Sequence, residues 1–329
     1  MGQWQTRERT VNVSTAVVRF PVLVFWIVFN LFVLAMLALD LGVLHRRPHR
    51  VGFREALAWS GAWIALAAGF AVLLWFWHGR TDALQFVTGY VIELSLSVDN
   101  LFVFLVIFRY FNVPDEHQHK VLLWGILGAL LMRGVFIMAG VGLIRRFSWI
   151  TYAFGAFLVY SGLKLLRQVG TEVHPEKNFV LRLFRRVFPV TKDYVGGQFF
   201  TRKEGDGLYA TPLLVALLLV ETSDILLTVD SIPAVLAITL NAFIVYTSNV
   251  FAIFGLRSMY FALAGMMERL HYLHYGLSVV LIVIGLKMLG SHYVYIPTEW
   301  ALTIVLFVLG ASILASLLNP QKKQRAHTL

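Results

Sequence analysis

Nine long, predominantly apolar runs, near 21–44, 57–77, 85–108, 121–141, 149–167, 211–238, 243–264, 274–290 and 299–318, decide what this chain can fold into. A helix needs about 20 apolar residues to cross the hydrocarbon core of a bilayer. Inside that core each backbone N–H and C=O must be satisfied within its own segment, so such runs read as helices. The expected fold class is all-α, a polytopic transmembrane helical bundle of about nine spans. Composition agrees. Hydrophobic residues make up 58% and charged residues 14%, with a mean hydropathy of +0.73, where a soluble domain averages about 45–50% and about 25%.

Cysteine is absent, which removes disulfides, thiolate metal sites and CxxC redox chemistry from these residues. The net charge of +10 is spread between the apolar runs. A nucleic-acid arm would be a clustered tract, so no nucleic-acid partner is expected and the charge reads as a topology signal. With the N-terminus outside, the inner connections hold Arg46, Arg47, Arg50, Arg54, Arg109, Lys120, Arg269, Lys322, Lys323, Arg325 and nine more from Lys164 to Lys203. The outer segments hold Arg7, Arg9, Arg19, Arg80, Arg145 and Arg146. Nineteen against six predicts N-out and C-in. The N-terminus shows neither a cleavable signal peptide nor a transit-peptide pattern. The one long connection contains Phe179 to Val190, where Val180, Phe184 and Val187 alternate with Arg182, Arg185 and Arg186. That spacing suits a short helix on an anionic membrane surface, or an ordinary basic loop.

Within the runs lies an internal repeat. Glu93-Leu94-Ser95-Leu96-Ser97-Val98-Asp99-Asn100 aligns with Asp224-Ile225-Leu226-Leu227-Thr228-Val229-Asp230-Ser231, both acids matching at an offset of 131. Leu131-Met132-Arg133-Gly134 resembles Gly255-Leu256-Arg257-Ser258, and Gly162-Leu163-Lys164-Leu165-Leu166 resembles Gly285-Leu286-Lys287-Met288-Leu289. Three matches in order define two three-helix units. Adjacent units with three spans each must face opposite ways, the inverted plan of many secondary transporters, whose sites lie near the midplane between repeats. The expected organisation is 1–84 as an N-terminal segment with two added spans and 85–167 as the first repeat. A cytoplasmic loop at 168–209, the second repeat at 210–290, and a final span with a basic tail at 291–329 complete it.

Carboxylates at bilayer depth cost roughly 2.5–3.5 kcal/mol each on insertion scales and usually mark function. Glu93, Asp99, Glu221, Asp224 and Asp230 all fall within the runs. On an ideal helix Glu93 shares a face with Ser97 and Asn100, and Asp99 lies about 120° around the axis. Both acids can meet one ion only if the helix unwinds, or if each faces a different neighbour. Pro233 makes a break plausible in the sixth run. The candidate metal ligands are Glu93, Asp99, Asn100, Glu221, Asp224, Asp230 and Ser231, with Ser97, Thr228 and Asn249 in reach, while Glu221 could also accept a proton. All ten histidines fall in connections or at run ends. An all-oxygen set suits Mn²⁺, Mg²⁺ or Ca²⁺ and argues against Cu⁺ or structural Zn²⁺. Arg133, Arg257, Lys164 and Lys287 offer the competing reading, buried ion pairs that hold the bundle together. Asp40, at the end of the first run, is either a site contributor or a solvated helix end.

At these residues the sequence resembles the TerC family, particularly its Alx-like branch. The resemblance rests on Leu39-Asp40-Leu41-Gly42, the Glu93 to Asn100 block, Phe199 to Lys203, and Leu208-Tyr209-Ala210-Thr211-Pro212. It continues through Glu221-Thr222-Ser223-Asp224, Asp230-Ser231-Ile232-Pro233, and Asn249 with Gly255 to Tyr260. Leu94 stands where that branch often carries a basic residue. The resemblance implies export of Mn²⁺ across the bacterial inner membrane, with links to tellurite resistance and pH response. Mn²⁺ is then substrate, no cofactor is held tightly, and Ca²⁺ remains admissible to the same ligands. The partners are a divalent metal ion and the lipid bilayer. No enzyme is expected: Asp99 and Asp230 could mimic an aspartyl-protease dyad, but no GxGD motif lies in any run. A non-transporting accessory protein is the remaining alternative.

Overall fold

The computed structural model describes residues 23–38, 52–167, 179–203, 206–264, 272–291 and 297–318. Asp40 lies outside them. Contacts divide the chain into Met1–Arg50 and Val51–Leu329. In the first unit, α1 (Leu23–Ala38) is an apolar helix whose Asn30 amide donates to the Trp26 carbonyl at 2.8 Å, hiding its polar group within one turn.

The second unit begins with α2 (Phe53–His78), α3 (Arg80–Tyr110), α4 (Asp115–Arg146) and α5 (Ile150–Arg167). The connection that follows holds a short helix, α6 (Phe179–Val187), and a hairpin of β1 (Phe200–Lys203) and β2 (Asp206–Ala210). Then come α7 (Pro212–Leu236), α8 (Ala242–Ala264), α9 (Leu273–Leu289) and α10 (Thr298–Leu318). Every apolar run is helical over most of its described residues. Among the described residues six helices, α2, α3, α4, α7, α8 and α10, are long and apolar enough to cross a membrane, while α1 and α9 are shorter. The fold is therefore an all-α, multi-pass membrane bundle. The hairpin is a local exception that its polar sequence did not announce.

Local chemistry sets the breaks. Gly79 joins α2 to α3 in one residue with φ of +94°, a conformation open to glycine, and its N–H donates to the Leu74 carbonyl. Pro114 precedes α4, whose first turn carries Asp115 and Glu116 and whose last carries Arg145 and Arg146, as the helix dipole favours. Pro212 starts α7 at the position where a missing N–H costs nothing. Pro233 does not unwind the helix near the acids. It sits one turn from the end of α7, and its carbonyl still accepts the Ala237 N–H at 3.0 Å.

Pairs of touching residues fix how the helices run. Gly89 of α3 abuts Val235 of α7, while Asn100 meets Asp224, so α3 and α7 are antiparallel. Gly125 abuts Val220 and Gly140 abuts Leu236, so α4 and α7 are parallel. Gly89 abuts Ser248 and Phe108 packs on Tyr260, so α3 and α8 are parallel. Helices α5 and α9 are antiparallel and touch through backbone. A Cβ on Gly155 would lie 2.9 Å from the Gly285 carbonyl, and one on Gly162 would lie 2.8 Å from that of Ser278. Small residues permit such approach between helices in lipid. The outward faces carry Phe76, Leu131, Phe307 and Leu318, each at least 75% exposed, an apolar surface suited to acyl chains.

Candidate functional site

Helices α3, α4 and α7 bring three charges to the interior of the bundle. Arg133, near the middle of α4, is 1% exposed, and Glu93 of α3 and Asp224 of α7 are equally hidden. The Arg133 guanidinium forms an ion pair with Glu93 Oε1 through Nη1. It donates from Nη2 to Asp224 Oδ1 at 3.1 Å and from Nε to Oδ2 at 3.4 Å. That two-pronged contact exploits the planar fork that distinguishes arginine from lysine. Nη1 also donates to Asn249 Oδ1 of α8 at 3.2 Å. Four helices thus meet on one side chain.

The two carboxylates are unequally satisfied. Asp224 also accepts from Asn100 Nδ2 at 3.0 Å and from Thr228 Oγ1 at 3.4 Å. Glu93 has only Arg133, and its Oε2 is buried without a hydrogen bond. The hydroxyl oxygens of Ser97 and Ser231 and the Asn249 Nδ2 are likewise buried and unbonded. Leaving a buried polar group unpaired costs about 1–3 kcal/mol, more if charged. Ser97 stands one turn from Glu93, and Ser231 stands seven residues from Asp224, so the unbonded oxygens follow the acid-bearing faces of α3 and α7.

The remaining acids make no hydrogen bond or ion pair with this cluster, although Glu221 lies near enough to Asp224 for the two charges to interact. Glu221 faces α4 one turn before Asp224, and its carboxylate fills the space that a Cβ on Gly128 would take. Asp230 accepts a hydrogen bond from Ser161 Oγ of α5 at 2.9 Å, with the Lys164 charge nearby. Asp99 is half-buried and makes no hydrogen bond or ion pair in the described residues. Helices α3 and α7 stay helical, and on α7 the acids divide between neighbours, Glu221 and Asp224 meeting α4 and Asp230 meeting α5, in line with the second of the two arrangements helical geometry allowed. Glu93, Asn100 and Asp224 are brought together, whereas Asp99, Glu221 and Asp230 are not joined to them. Among the described residues no three His, Asp or Glu side chains form a metal-ligating group.

Residues outside the candidate ligand set complete the picture. Arg133 and Asn249 organise the cluster, Gly128 makes room for Glu221, and Ser161 holds Asp230. A lone arginine in an apolar run signals a buried carboxylate partner, but its choice of both Glu93 and Asp224 depends on packing. Arg257, its counterpart in the sequence repeat, meets His119 Nδ1 at 3.2 Å.

Comparison with known proteins places this arrangement. The description "Integral membrane protein TerC family" fits residues 78–324. The uncharacterized membrane protein STKORF319 of Myxococcus xanthus is 53% identical over 294 residues, covering 89% of this chain and 92% of that protein. The Alx protein of Escherichia coli K12, named as a proposed membrane-bound redox modulator, is 44% identical over 293 residues, 86% of this chain and 91% of its own. The Alx protein of Salmonella typhi, named in the same way, is 42% identical over 297 residues, with 88% and 92% covered. No solved structure matches the chain. The match spans every helix that carries the charged cluster, and the chain belongs to the TerC family of integral membrane proteins.

Proposed function

We propose that this protein is a secondary carrier that exports a divalent cation, with Mn²⁺ as substrate, through carboxylates buried between two inverted three-helix units. The observation that carries the reading is the meeting of Glu93 and Asp224, which hold corresponding places in the sequence repeat, on two antiparallel helices deep in the bundle. The helix directions support the inverted plan: α3 against α7, α4 against α8 and α5 against α9 are each antiparallel, and the α3–α8 contact has its counterpart in α7–α4. Nine membrane crossings, with the N-terminus outside and the C-terminus inside a bacterial inner membrane, complete the reading.

In this reading Glu93, Asn100, Asp224 and Ser231 supply oxygens at the centre. Asp99, Glu221 and Asp230 receive or release the ion along its path, or carry protons. Oxygen-only donors suit Mn²⁺ and also admit Ca²⁺. The relatives' name suggests redox modulation. These 329 residues contain no cysteine, so thiol exchange cannot come from them, and movement of a redox-active metal would connect the two ideas. The test is ⁵⁴Mn²⁺ flux into proteoliposomes for the wild type, Asp99→Asn and Asp230→Asn, with Ca²⁺ as competitor. Wild-type flux that both substitutions abolish supports a carrier. Absence of flux from folded protein under every imposed pH gradient would favour an accessory role.

A further inference from the structure

We infer that Arg133 is a tethered counter-cation, so that its pairing with Glu93 and Asp224 and the binding of the divalent ion are alternative states of one site. The inference rests on the carrier reading above and concerns how that carrier returns empty.

The guanidinium occupies the position a cation between these acids would take. Its fork covers both oxygens of Asp224 and its Nη1 reaches Glu93. An ion bound to both carboxylates must therefore push Arg133 aside. The cluster is prepared for such an exchange, because its satisfaction is incomplete on one side. Glu93 Oε2, Ser97 Oγ and Ser231 Oγ are at most 2% exposed and lack hydrogen bonds, so oxygen lone pairs remain for a ligand while arginine is in place. Arg133 is held in this engaged position from a third side, because Asn249 Oδ1 of the neighbouring helix α8 accepts from Nη1 at 3.2 Å.

Charge explains why a carrier would keep such a residue. Two ionised carboxylates without a counter-ion are costly in a low-dielectric interior, and removing one member of a buried pair exposes that cost. An empty site with Arg133 engaged can reorient, as can a loaded site with the metal in its place, whereas an empty site without arginine is penalised. Competition also lowers the apparent affinity for metal by the fraction of time the site is free of Arg133, which favours release.

The experiment compares equilibrium ⁵⁴Mn²⁺ binding and ⁵⁴Mn²⁺ flux for the wild type, Arg133→Gln, Arg133→Lys and Asn249→Ala, each checked for monodispersity. Arg133→Gln should bind Mn²⁺ about tenfold tighter, since a bound competitor is gone, yet carry it about tenfold more slowly, since the empty return now exposes two carboxylates. Arg133→Lys restores the charge and should recover flux toward wild type. Asn249→Ala keeps the charge but loosens the guanidinium, and should tighten binding about threefold; this arm decides the matter if Arg133→Gln does not fold. A merely structural arginine would lose binding and flux together. Weaker or unchanged Mn²⁺ binding in Arg133→Gln, or in Asn249→Ala where the first is unfolded, overturns the inference and leaves the carrier reading standing. A wild type that neither binds nor moves Mn²⁺ overturns both.

Discussion

Glu93 with Asp224, and Asp99 with Asp230, occupy corresponding places in the repeated sequence, six residues apart on each helix, yet their surroundings differ. The first pair shares one buried guanidinium and a hydrogen-bond network from four helices. The second pair shares nothing: Asp230 leans on the Ser161 hydroxyl near Lys164, while Asp99 has no polar partner in the described residues. Six residues turn a helix by about 240° beyond one full turn, which equals 120° the other way. Equal chemistry in sequence thus becomes one closed centre, whose two carboxylates share a single guanidinium, and two separate half-open acids. On the proposed carrier reading, the first pair would hold the ion or its substitute, and the second pair would serve entry, exit or proton transfer.

The largest effect should come from the shared cation. Arg133→Ala removes one partner of a buried pair, and thermal denaturation in detergent should show a loss of about 3–5 kcal/mol. Lys164→Ala, on the exposed side of Asp230, should cost less than about 1 kcal/mol. Equal losses would erase the distinction between the two pairs. Next, Gly128→Leu places a side chain where the Glu221 carboxylate lies. Overpacking should cost about 1–3 kcal/mol, and Mn²⁺ flux should fall even where the protein remains folded. Unchanged flux would remove Glu221 from the path.

Ser161→Ala should be milder, about 1 kcal/mol for one hydrogen bond to a carboxylate. It should slow flux severalfold without altering equilibrium Mn²⁺ affinity, because Asp230 stands outside the centre; a large affinity change would merge the two pairs. The smallest effect lies outside the membrane. Tyr194 donates to the Phe111 carbonyl at 2.7 Å, tying the long connection to the α3–α4 turn. Burial pushes its phenol above the ordinary value of about 10. The contact therefore contributes fully below about pH 10 and is lost as pH rises through the higher folded value. Hydrogen exchange in the connection should quicken at alkaline pH in the wild type, and Tyr194→Phe should lack that step.

Sequence was informative where bilayer physics leaves few options. Long apolar runs had to be helices, and of the two readings left open for Phe179 to Val190, helix or basic loop, the structure has the helix, Phe179–Val187. The shared face of Glu93, Ser97 and Asn100 followed from helical periodicity, and Asn100 does reach the cluster. Pro233 misled, because proline disrupts the turn before it, and here that turn lies near a helix end that was stopping anyway. The role of Arg133 was legible only as a buried ion pair with an unspecified acid. That it spans Glu93 and Asp224 depends on α3, α4 and α7 converging, a tertiary fact with no local signal. Gly128 was invisible for the same reason: a missing side chain matters only when a carboxylate from another helix needs its place.

The central claim is that paired acids in this bundle carry a divalent cation. Isotope counterflow tests it most directly, with liposomes loaded with unlabelled Mn²⁺ and ⁵⁴Mn²⁺ outside, comparing the wild type with Asp224→Asn in protein shown to be folded. Transient accumulation of label by the wild type and none by the variant is the predicted result. Accumulation that is absent from the wild type, or undiminished in Asp224→Asn, would contradict it.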